Sequence, residues 1–83
     1  AERRQTDFKQ LTTQLYETAW EVTLRNHKEE DIVVGIIEPL YGNWQVIERS
    51  HAFQKVDAFT IRFDVPVKKD EEVKVSYRVR VGI

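Results

Sequence analysis

Four sets of side chains in this chain are of types that can do chemistry. His27, Glu29, Glu30 and Asp31 are metal-ligand types packed into one stretch. Their spacing matches neither a zinc site nor a calcium-binding loop, and a polar turn scatters such groups into water, so no metal is expected. Ser50 directly precedes His51, a hydroxyl next to an imidazole. Neighbours on extended chain point apart, so the pair is not expected to act as nucleophile and base, and His51 reads as a loop hydrogen-bonder. Glu17 and Glu21 are paired carboxylates, but they fall on the outward side of a strand, where no burial would tune them for proton transfer. The three glycines, Gly35, Gly42 and Gly82, build no phosphate loop, and no Gly-x-Ser-x-Gly turn is present. The reading is therefore not an enzyme, with no catalytic, cofactor-binding or metal residue and no cofactor.

Binding surfaces remain. Arg62, Lys74, Arg78 and Arg80 alternate with apolar residues in the C-terminal half and are expected to share the outer face of one hairpin. Such like charges repel unless a counter-charge is present. Outward Glu17 and Glu21 of a neighbouring strand could supply it as a salt ladder; the other reading is an anionic partner, such as an acidic polysaccharide or acidic protein surface. Tyr41 and Trp44, with Phe53 and His51, could form an aromatic platform for sugar rings, although sandwich cores also need large aromatics, Trp20 and Trp44 among them.

Strands must position all of these. Phe59, Ile61, Phe63, Val65 and Val67 alternate with Thr60, Arg62 and Asp64; Val73, Val75, Tyr77, Val79 and Val81 alternate with Lys74, Ser76, Arg78 and Arg80. Period two in β-branched and aromatic types predicts half-buried strands. The short charged link at residues 68–72 predicts an antiparallel hairpin with Val67 opposite Val73, Phe63 opposite Tyr77 and Arg62 opposite Arg78. A second hairpin is expected from Tyr16, Thr18, Trp20, Val22 and Leu24, through the polar turn at 26–31, to residues 32–37. That last run, IVVGII, is apolar on both faces and predicts an interior strand closed by Pro39. A further strand covers residues 44–49, and the irregular stretch 50–58 is anchored by Phe53 and Val56. No helix is expected. The fold class is all-β: an immunoglobulin-like antiparallel β-sandwich of five to seven strands, with residues 1–15 a lead-in that adds at most one edge strand and 16–83 the sandwich.

Composition sets the outer bounds. The 83 residues carry 13 Lys+Arg against 14 Asp+Glu, a formal net charge of -1, with 41% hydrophobic residues and no Cys. One core, no disulfide framework and no strongly basic field follow, which argues against nucleic acid as a partner. No apolar run reaches the length of a membrane span, so no membrane insertion by this segment is expected. The charged start AERRQTDF reads as a piece cut from a longer protein, against whose remainder it packs. Outward Lys and Glu favour a monomer over edge-paired dimers.

The ordered set EVTLRNHKEEDIVV, the Gly42-x-Trp44 of YGNWQV, SHAFQKVDAFTIRFDVPV and the closing VSYRVRV resembles one family. It is the C-terminal domain of bacterial proteins containing domain of unknown function 4139, described as mucoidy-inhibitor-like. Tyr41 departs from that pattern, where a proline would precede the Gly-x-Trp. The resemblance implies the C-terminal β-sandwich of a larger bacterial protein, periplasmic or envelope-associated, with no assigned activity. Function is then expected to be a non-catalytic structural or protein-interaction module, its partners the rest of the parent protein and another envelope protein; the alternative is a carbohydrate-binding module at the cell envelope that takes a glycan.

Overall fold

Alternating side chains form seven strands: β1 (Glu2–Thr12), β2 (Leu15–Arg25), β3 (Ile32–Pro39), β4 (Asn43–Arg49), β5 (Gln54–Asp57), β6 (Thr60–Val67) and β7 (Glu72–Gly82). The computed structural model describes residues 2–82; residues 1 and 83, the outer ends of the expected lead-in and domain, lie outside the described residues. All pairings are antiparallel, in a four-stranded sheet of order β1-β2-β7-β4 and a three-stranded sheet of order β3-β6-β5. Among the described residues there is no helix.

The two sheets close on one apolar layer. Val22, Leu24, Val75, Tyr77, Val79 and Val81 come from the large sheet, and Ile36, Ile61, Phe63, Val65 and Val67 from the small one. Phe63 is fully buried, with its ring centroid 5.6 Å from that of Tyr77 across the layer. Each such aliphatic or aromatic side chain contributes about 1.5–3 kcal/mol on burial. The inward sets expected on β2, β6 and β7 are therefore the observed ones except for Phe59, and one expected loop anchor is lost as well. Phe59, in the turn before β6, is 53% exposed, and Val56 is 56% exposed on β5 instead of anchoring a loop.

Strand partnership departs from expectation. β6 and β7 are not a hairpin: Val67 pairs with Ile32 and Phe63 with Ile36, whereas Val73 pairs with Leu24 and Tyr77 with Trp20. Nor do β2 and β3 pair, since they lie in different sheets. Both connections cross the sandwich at the same end, and Asn26 ties them together. Its main-chain N–H donates to Glu71 O (3.1 Å) and its C=O accepts from Asp70 N (3.0 Å). Its buried amide donates to Val67 O and Glu30 O and accepts from Lys28 N. Asp70 turns the second crossing with φ 60, a left-handed conformation that Asp tolerates better than most residues.

β3 is thus an edge strand with one exposed face, not an interior one. The lead-in forms a full edge strand, β1, joined to β2 by the tight turn at Thr13 and Gln14, so residues 2–8 pair within this domain. In an immunoglobulin constant-type sandwich the fifth strand lies beside the second and the seventh beside the sixth. Here those two have exchanged places.

Candidate functional site

The outer face of the large sheet brings Glu17 opposite Arg80 and Ala19 opposite Arg78. Glu17 accepts from Arg80 Nη2 (2.8 Å) and Arg78 Nη1 (3.2 Å), and Arg78 also donates to Asp7. Glu17 is 8% exposed, but what covers it is surface arginine, not core. Hydrogen bonds from Arg80 first, then its charge and Arg78, hold the Glu17 carboxyl below its ordinary range. The Arg78 hydrogen bond does the same for Asp7, and Asp7 in turn raises Arg78. Further along, Arg4 meets Glu21 (3.3 Å) and Arg25 meets Glu72 (3.0 Å).

The salt ladder accounts for Arg78 and Arg80, with Asp7 in the place expected for Glu21. The four-member basic stripe does not form. Arg62 belongs to the small sheet and pairs with Asp64 at 2.7 Å, and Lys74 lies opposite Thr23. With its arginines neutralised, this face offers little to an anionic ligand.

Ser50 and His51 also correct the sequence reading. The chain bends there, so Ser50 Oγ lies 2.7 Å from His51 Nδ1. The same Oγ accepts from Ser76 N (2.8 Å), and Ser50 N donates to Ser76 O (2.8 Å). The hydroxyl is therefore taken up in prolonging the β4–β7 ladder. Among the described residues no carboxylate hydrogen-bonds to His51 to orient it as a base.

Tyr41 and Trp44 do not share a platform. Trp44 is half-buried, donates its indole N–H to Ala58 O (2.8 Å) and lies under Lys55 Nζ, 5.6 Å from the ring centroid. Tyr41 is 71% exposed and stands at a separate cleft of about 310 Å³ walled by Tyr16, Trp20 and Leu40.

A buried polar cluster escaped the sequence reading. Glu38, 2% exposed, accepts from Arg3 Nε (2.9 Å), and the Arg3 guanidinium lies 3.8 Å from the centre of Trp20. The Tyr77 hydroxyl is buried beside them without a hydrogen bond of acceptable geometry. Burial first, then the Glu38 charge, pushes the Tyr77 phenol well above its ordinary value. Parity held the signal: Glu38 continues the inward set Ile32, Val34 and Ile36, and a carboxylate on a core face demands a cation.

The four sheet edges complete the inventory. Pairing along β1, β4 and β5 is interrupted by bulges, and β1 carries charges along its length. Bulges and charges are the usual protection against edge pairing. β3 has no bulge and no outward charge: its eight residues pair with β6 in unbroken register, and its outward positions Val33, Gly35 and Ile37 are uncharged. Its one charge, Glu38, points inward to Arg3 just before the closing Pro39. Val33 is 68% and Ile37 54% exposed. Pro66, opposite Val33, extends this apolar face. The Arg62–Asp64 pair lies across Gly35, where a Cβ would stand 2.6 Å from Arg62 Nη2. No family model, curated protein or solved structure matches this chain.

Proposed function

We propose that this domain is a non-catalytic protein-interaction module that uses the outer face and free edge of its small sheet. It serves as the C-terminal β-sandwich of a larger bacterial protein in the periplasm or envelope, the setting its motifs resemble. One observation carries the reading: β3 is a regular edge with no outward charge beside an exposed apolar face, whereas the other edges are bulged and the charges of the large sheet are largely paired. Among the described residues no helix is long and apolar enough to cross a membrane.

Site-specific photocrosslinking in cells tests it. A photoreactive residue at Val33 or Ile37 should give protein adducts, and one at Lys9 on the charged face should not. The carbohydrate alternative draws on the exposed Tyr41 at its aromatic cleft. Saturable glycan-induced amide shifts at Tyr16, Trp20 and Tyr41, with no adducts from Val33 or Ile37, would replace the first reading with the second.

A further inference from the structure

The two sheets do not match in width, and the missing strand has a definite place. β6 faces β7 through the Phe63 and Tyr77 rings, and β5 faces β4 through Lys55 and Trp44. With sheet orders β3-β6-β5 and β1-β2-β7-β4, β3 then faces β2 and nothing faces β1. The side of β1 turned toward the small sheet agrees: Gln5 and Phe8, opposite Trp20 and Thr18, are exposed. Arg3 reaching Glu38 puts this overhang on the flank where β3 is the edge. No side chain or loop among the described residues hydrogen-bonds to the free side of β3.

We propose that this step, open at the β3 edge and floored by β1, takes an eighth strand: a single extended segment of another protein, added to the small sheet. It rests on the interaction reading above and names its occupant. A second copy of this chain is the wrong shape. Its β3 would arrive with its own four-stranded sheet beneath, and packed sheets lie about 10 Å apart, so each overhanging β1 would meet the β2 of the other copy in one space. A lone strand meets no such obstacle and satisfies the open edge by main-chain pairing. The surroundings set its side chains. Outward positions continue Val33, Ile37 and Pro66 and are apolar. Inward positions come down on Arg3, already paired with Glu38, and on Gln5 and Phe8, and are small or uncharged polar. The end beside Ile32 meets exposed Glu30 and Asp31 and carries Lys or Arg.

The probe is a synthetic peptide as long as β3, alternating Val and Thr and ended with Lys-Lys so that antiparallel addition sets the lysines beside Ile32, titrated into the isotope-labelled 83-residue chain. Saturable amide shifts and slowed amide exchange confined to residues 32–39 and the inward positions of β1 are expected. N-methylation on the pairing side of the peptide should weaken binding roughly tenfold or more, and on the other side much less, because only one side pairs. Val33→Lys with Ile37→Lys should weaken it as well, at unchanged melting temperature. A titration without saturable shifts at residues 32–39 overturns strand addition. So does a wild-type chain that sediments at twice its 9.9 kDa and becomes monomeric on Val33→Lys, which would assign the edge to a second copy. Adducts from Val33 in cells without any peptide response would remove the eighth strand and leave the interaction module standing. Absence of both would remove both.

Discussion

Arg3 and Glu38 should contribute unequally, because they are unequally buried. The Glu38 side chain is 2% exposed and that of Arg3 44%. Replacing Arg3 with Met strands a carboxylate among apolar groups. Replacing Glu38 with Gln leaves a guanidinium free to swing into water. Breaking a fully buried pair costs about 3–5 kcal/mol. Water reaching the half-exposed Arg3 side brings this toward about 2–3 kcal/mol, and the lost stacking on Trp20 adds about 0.5–1 kcal/mol. Arg3→Met should therefore cost about 3 kcal/mol, and Glu38→Gln about 1 kcal/mol for weakened hydrogen bonds. In a domain of this size that difference is roughly 8–16 °C in melting temperature. The double variant should cost less than the two singles summed, since the charge stranded in one is absent from it. Urea unfolding followed by circular dichroism, with all three variants at one pH, measures the cycle. If Glu38→Gln costs as much as Arg3→Met, or the double variant is additive, the stranded-charge reasoning is wrong.

Three further outcomes follow from the same contacts. Asn26→Ala should cost about 2–3 kcal/mol in urea unfolding, because it leaves the buried Val67 carbonyl without its donor and unties two crossings. Phe63→Ala, at a fully buried position against Tyr77 and Phe53, should cost about 3–5 kcal/mol on the same assay. Glu17 and Asp7 titrate below their ordinary values of 4.5 and 3.8 when folded, so the unfolded chain binds more protons through that range. Their stabilisation is present above those values and is lost as pH falls through the lower folded ones. Melting scans in low salt should show this acid loss; Glu17→Gln should flatten it, and an equally steep fall in that variant would refute the ladder's role.

The faces of the strands were legible because alternation is a local property. Val73 through Val81 and Ile61 through Val67 must turn the same way wherever their strands go. Local spacing also pointed to Pro39 as the end of β3 and to Glu17 as counter-charge for Arg78 and Arg80. The open edge was not legible: IVVGII carries the same residues whether a strand flanks it on one side or both. Only the position of β3 at the margin of a three-stranded sheet turned Val33 and Ile37 into a surface. Ser50 and His51 met because a tertiary bend, fixed by Ser76, overrode the extended geometry that would have parted them.

The amino-acid sequence by itself determined that this is an all-β domain and which faces of β2, β6 and β7 turn toward its core. Tertiary structure alone decided which strands are partners. In a hairpin, Val67 and Val73 would share one face of one sheet; in the crossing they sit on facing sheets and still point into the same core. Hydrophobic parity is identical in the two cases and cannot distinguish them. What distinguishes them is Asn26, whose buried amide and main chain bind both crossings at one end of the sandwich, a long-range contact that no local pattern encodes.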